Sequence, residues 1–315
     1  MLSWSSPTGS MRKKKRNQHY VFQGYLRPWT KRGLIYCLRE GQIFCPNLTG
    51  VACERFFYRL QDVTPEEFKL VEGLFKDHPS ESLKAALKHF MSIYAFPIKV
   101  RKQLAHKIEP RLQSALDGVI AEGEEDYHQK IEDTLLHFIE RMLAGDTDFY
   151  SDGEQLANFL YALSVQFTRT KQMREAVVRQ VGADFRGCDV RRMTSVLLPL
   201  AALAVAHSLY IDKNKFKLVV LDNNTDTPFL TADQPIINLQ YTHTGQPPEK
   251  FEFYYPLSPK KAMLLVELSS TLGDTPLSAV SVNNYNVTMV KNSYEQIFSN
   301  SEDYLNSIKN VVGSI

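Results

Sequence analysis

The chain has 315 residues, 43% of them hydrophobic and 11% aromatic, enough apolar material for a large buried core and too much for an intrinsically disordered chain. A formal net charge of +2 excludes a protein whose whole surface grips nucleic acid and leaves only the run Arg12-Lys13-Lys14-Lys15-Arg16 as a local basic patch. No uninterrupted run of about 18 apolar residues is present, so no membrane span is expected, and 196–205, cut by Pro199, reads as a buried helix.

Residues 1–10 have no hydrophobic signal core and precede a second methionine, Met11; they read as an unused upstream start or an appended remnant, outside the fold. The segment 17–29 follows, with His19, Gln23 and Arg27 spaced four apart. In a helix that spacing stacks three polar groups on one face, and Pro28 would end the helix just after Arg27. Next, 33–39 and 42–44 flank Glu40-Gly41 as two strands around a tight turn, and 54–60 reads as a third strand.

From Thr64 the period becomes helical. Thr64-Pro65-Glu66-Glu67 is a capping box with proline at the first helical position, and Phe68, Val71, Leu74 and Phe75 share a face. Ser80 starts a second helix, and further helices are expected over 98–122, 124–143, 152–181 and 190–210. Short strands then fall at 216–221, 229–231, 252–255 and 262–267, with closing helices at 278–298 and 301–311. The fold class is therefore α+β, with a helical middle and a small mixed or antiparallel sheet built from N- and C-terminal segments. The organisation expected is one composite domain over 11–315, its parts at 17–62, 64–210, 215–270 and 278–311.

Cys37, Cys45, Cys53 and Cys188 are too scattered for a disulfide framework and read as reduced thiols of a cytoplasmic protein. There is no C-x-x-C pair and no carboxylate cluster at metal spacing, so neither metal nor cofactor is expected. P-loop, H-E-x-x-H, G-x-S-x-G and G-x-G-x-x-G signatures are likewise missing.

Three places carry polar chemistry. His19 titrates near neutrality and could act as a base, although a histidine bonding a backbone carbonyl to fix a turn is as ordinary. Arg27 could hold a phosphate or carboxylate through its planar fork. On 159–175, Gln166 sits on the core side, where its amide needs a partner, close to Arg169, Thr170 and Arg174. Asp233, at the end of the strand before Gln234-Pro235, is placed as active-site acids are, or as an acceptor of turn amides.

Four stretches together resemble a bacterial family of unknown function, DUF4238: His19-Tyr20-Val21-x-x-x-Tyr25-Leu26-Arg27, Gln166-x-x-Arg169-Thr170-x-x-x-Arg174, Phe229-Leu230-Thr231-x-Asp233-x-Pro235 and Tyr255-Pro256-Leu257-Ser258-Pro259. The family pattern has proline at Phe22, and Ser-Asp-Asn-Pro at Ala232-Asp233-Gln234-Pro235. The resemblance implies that His19, Tyr25, Arg27, Gln166, Arg169, Arg174, Asp233 and Asn283 converge; it implies no reaction.

Two functions fit. One is a metal-independent nuclease or nucleotide hydrolase of the toxin or phage-defence kind, acting on RNA or a nucleotide, with His19 as base, Asp233 orienting it and Arg27, Arg169 and Arg174 stabilising phosphate charge. The other is a non-catalytic module that binds a small anionic ligand or a partner through a buried His/Arg/Asp cluster.

Overall fold

The computed structural model describes residues 17–58, 61, 63–104, 110–182, 185, 187–241 and 250–312. Residues 1–10 and the basic run at 12–16 lie outside the described residues. Strand β1 (Asn17–His19) opens the chain and helix α1 (Gln23–Leu26) follows, running into a 3-10 turn at Arg27–Trp29. The segment that would line up His19, Gln23 and Arg27 if it were helical is thus a strand and one helical turn. The reason is that its apolar side chains are needed inside: Tyr20, Val21, Phe22, Tyr25, Leu26 and Trp29 are all buried in the main core. His19 and Gln23 still meet, with Gln23 Nε2 3.2 Å from His19 Nε2, whereas Arg27 is exposed.

Strands β2 (Tyr36–Arg39) and β3 (Gln42–Phe44) form the expected hairpin. Glu40 at φ 50° and Gly41 at φ 69° supply the two left-handed positions that a tight two-residue turn requires. The third strand, expected over 54–60, is the shorter β4 (Cys53–Arg55), which pairs with β1, and 56–58 form a turn.

The helical middle begins at α2 (Pro65–Phe75), where Thr64 and Glu67 exchange both capping-box bonds. Val71 is buried as expected, but Leu74 is exposed. Helices α3 (Glu81–Leu104) and α4 (Pro110–Leu143) each run through an expected break: α3 continues past 98 and α4 past Gly123, so a lone glycine, at about 1 kcal/mol, did not stop the helix. The opposite correction applies to 152–181, which is split into α5 (Gly153–Thr168) and α6 (Lys171–Val181). Helix α7 (Val190–Ile211) contains Pro199 and packs along α3, α5 and α6. Among the described residues it is the one helix long and apolar enough to cross a membrane, and 44% of its most apolar window is buried inside the protein.

The C-terminal part holds β5 (Phe216–Asp222), β6 (Thr231–Ala232), β7 (Ile237–Asn238), β8 (Glu252–Ser258), β9 (Lys261–Glu267), α8 (Ala279–Lys291), β10 (Ile297–Ser299) and α9 (Glu302–Val312). Every described pairing is antiparallel. One four-stranded sheet runs β3-β2-β10-β6 and so joins the two ends of the chain as expected; a second runs β5-β9-β8-β7. The closing helix expected over 278–298 stops at Lys291, and its last residues become β10.

Side chains of the opening segment rivet these layers together. Trp29 Nε1 donates to the Phe229 carbonyl at 2.9 Å, the Tyr25 hydroxyl meets Thr231 Oγ1 at 2.6 Å, and the Tyr25 ring stacks on Tyr255 at 4.8 Å between centroids.

Candidate functional site

The split between α5 and α6 creates the site. Arg169 closes α5 as its C-cap, and Thr170 opens α6 by accepting the Met173 N–H on its hydroxyl oxygen. The same hydroxyl donates to Gln234 Oε1, while Gln234 Nε2 donates to the carbonyls of Ile236 and Phe167. The glutamine standing where the family pattern has asparagine therefore ties the joint to the strand region.

Arg169 is only 4% exposed. Its Nε donates to Gln166 Oε1 at 3.0 Å, and Gln166 in turn donates to the Tyr20 carbonyl at 3.0 Å, which gives that core amide the partner it needs. Nη2 lies 3.0 Å from Glu132 Oε1, and the guanidinium carbon stands 5.6 Å and 5.7 Å from the ring centroids of Phe22 and Tyr58. Nη1 has no hydrogen-bond partner among the described residues. Burial opposes its charge, but the Tyr58 hydroxyl and Glu132 more than offset this and hold it protonated.

Beside it, His128 stacks on Tyr58 at 3.7 Å between centroids. Its Nδ1 is sealed from solvent without a hydrogen-bond partner among the described residues. Burial first, and the Arg169 charge second, push this imidazole well below its ordinary pKa, so it is neutral at pH 7. The unfolded imidazole takes up its proton near pH 6.5, so the native state binds fewer protons below that pH and stability falls as pH falls. Asp233, with a folded-state pKa above the unfolded value of about 3.9, acts in the opposite sense between about pH 4 and 6. We expect His128→Phe, which keeps the stack, to gain up to about 1.4 kcal/mol on the parent for each unit below pH 6.5. Urea unfolding of both proteins at pH 7.5, 6 and 5 measures that difference.

These groups line a cavity of about 900 Å³ between α3, α4, α5, α6 and α7, next to β4. Phe57, Phe90, Tyr94, Tyr127, Val165 and Leu198 supply much of its apolar wall. Arg169, Arg174, Arg191 and Arg192 also line it. All four are ion-paired: Arg169 with Glu132, Arg174 with Glu54, Arg191 with Glu175, and Arg192 with Glu67.

The other expected site residues are not among those that line the cavity. His19 Nε2 is 3.2 Å from the Leu48 carbonyl, the contact of a histidine that fixes a turn. Asp233 is 1% exposed. Its Oδ1 accepts the Tyr294 N–H at 2.8 Å, and its Oδ2 accepts those of Glu295 and Gln296 at 2.7 and 3.0 Å. Burial pushes its carboxyl up to about 6 against the pull of those three amides. Tyr25 is buried against Thr231, and Asn283 is exposed, accepting from the Tyr304 hydroxyl at 3.1 Å. One turn on, Asn286 is the buried hub: it accepts the Leu230 N–H and donates to Pro228 and Tyr304. Of the expected set, Gln166, Arg169 and Arg174 come together.

Tyr58, Tyr127, His128 and Glu132 complete the surroundings of Arg169 without having been expected. Their one signal is local: His128 and Glu132 are four apart on α4, hence on one helix face.

A family profile described as "Protein of unknown function (DUF4238)" matches residues 17–303. No curated protein and no solved structure matches the chain.

Proposed function

The chain belongs to the DUF4238 family, whose description assigns no activity, and we propose from its geometry that it is a binding module for a small amphipathic anion held in the helical lobe. The observation that carries this reading is the Arg169 guanidinium, almost wholly buried, forming part of the cavity wall with Nη1 unpartnered among the described residues. A buried donor without an acceptor costs about 1–3 kcal/mol, and an anionic oxygen in the cavity would remove that cost once the guanidinium turns Nη1 toward it. The aromatic wall suits an apolar body, and about 900 Å³ is the size of ordinary small-molecule sites.

The probe 1-anilinonaphthalene-8-sulfonate combines both features and fluoresces when taken out of water. We expect saturable one-to-one binding to the parent. Ile93 lines the cavity yet is 53% exposed, so Ile93→Trp fills the space at a position that tolerates bulk. Its expected effect is at least a tenfold loss of probe affinity with an unchanged melting temperature. Equal fluorescence from a normally folded Ile93→Trp protein would sink the reading.

Phosphodiester cleavage by His19 and Asp233 draws less support. Asp233 spends both oxygens on the 294–296 backbone, so it is not the carboxylate that orients His19 in that mechanism. Cleavage of bulk tRNA by the parent and not by a folded His19→Ala variant would restore it.

A further inference from the structure

We infer that the ligand of this cavity carries a carboxylate and that Glu54 occupies its place, as a tethered internal competitor on Arg174. The inference rests on the binding reading above and names the ligand's head group.

Arg174 lies over Phe57, its guanidinium carbon 4.4 Å from the ring centroid, which restricts where its donors can point. Glu54 takes only one of them. Nη2 donates to both Glu54 oxygens, at 3.0 and 2.9 Å, while the buried Nε has no hydrogen-bond partner among the described residues. Glu175 Oε1 lies 3.6 Å from that Nε, too far for a hydrogen bond. The strong arrangement of a carboxylate on arginine is the fork, one oxygen to each of two parallel N–H groups. Glu54 does not reach it because its backbone is fixed. It sits in the middle of β4, opposite Gln18, between Ala52 at φ 46° and Phe56 at φ 56°. A ligand carboxylate has no such tether and can satisfy Nε and Nη2 together.

The charges allow the exchange. Arg174 and Arg191 share Glu54 and Glu175, with Arg191 forked onto Glu175 through two bonds of 2.6 Å. Replacing Glu54 by a ligand carboxylate keeps two positive and two negative groups. The displaced Glu54 has somewhere to go, since its side chain is 38% exposed and can regain water. The first turn of α6 carries no acid, and with Lys171 paired to Glu295 the helix N-terminus itself supplies a field that favours an anion there.

The test is titration calorimetry with 2-naphthoate and its neutral amide, naphthalene-2-carboxamide, on the parent, Glu54→Gln and Arg174→Lys proteins. Glu54→Gln removes the competitor, so 2-naphthoate should bind about fivefold more tightly while the amide changes less than about twofold. Lysine cannot make the fork, so Arg174→Lys should weaken 2-naphthoate about tenfold and leave the amide unchanged, which also reports an intact cavity. Unaltered or weakened naphthoate binding in Glu54→Gln would overturn the inference. Should the parent take up 1-anilinonaphthalene-8-sulfonate in a manner blocked by Ile93→Trp but ignore 2-naphthoate, the inference falls and the binding reading stands. If neither probe binds the parent, both fall.

Discussion

Replacing Asp233 by alanine is expected to cost about 3–5 kcal/mol of stability. Its two oxygens receive the backbone N–H groups of Tyr294, Glu295 and Gln296, and each buried donor left without an acceptor costs about 1–3 kcal/mol. Tyr294 and Glu295 are exposed residues, so water can recover part of that loss, which keeps the figure below the simple total. The damage would also spread. Those amides turn the chain from α8 into β10, the strand that bridges β2 and β6, so one of the two inner strands of the sheet joining the two ends of the chain is loosened. Asp233→Asn keeps one acceptor and should lose about half as much. Urea unfolding at pH 7.5 measures both; a loss below about 1 kcal/mol for alanine would show that the carboxylate does not hold the turn.

Arg169→Met is the second large effect, and it acts on stability and binding together. Methionine retains the apolar stem, so what disappears is the charge, the bond to Gln166 and the pair with Glu132. Removing one partner of a buried ion pair costs about 3–5 kcal/mol; Glu132 is partly exposed, so about 2–3 kcal/mol is expected. Glu132→Gln in the same chain should return some of it by removing the charge that Arg169 had offset. Affinity for 1-anilinonaphthalene-8-sulfonate should not return with it, because the Arg169 guanidinium proposed to take the anion is still missing. A double variant that regains both stability and probe binding would mean that Arg169 only supports the fold.

What could be read from the sequence was what local chemistry dictates. Thr64 and Glu67 satisfy each other within one turn, and Glu40-Gly41 carries its own left-handed geometry, so both appeared where expected. The misses were features held by distant partners. Residues 159–175 look like one continuous helix, and the break at Arg169-Thr170 is secured by Gln234, 64 positions away. Residues 292–298 continue a helical pattern, but Asp233 captures their amides and releases β10. Asn283 and Asn286 are three apart on one helix, and only the neighbours, Leu230, Pro228 and Tyr304, decide that Asn286 is the hub. Arg27 was expected beside His19 on a helical face, yet the chain needs that stretch to bury Tyr25 and Trp29 and turns Arg27 outward. Arg169 and Gln166 were visible as polar groups on an apolar helix; His128 and Glu132, on a helix rich in charge, gave little to mark them.

Hydrogen–deuterium exchange with and without saturating 1-anilinonaphthalene-8-sulfonate locates the bound anion directly. Slower exchange is expected in peptides covering 53–58, 123–128 and 165–174, the segments that line the cavity around Arg169 and Arg174, with no change at 229–233 or 297–299. Protection confined to the sheet that joins the two ends of the chain, or none at 165–174, would place the anion elsewhere and contradict a binding function for the helical lobe.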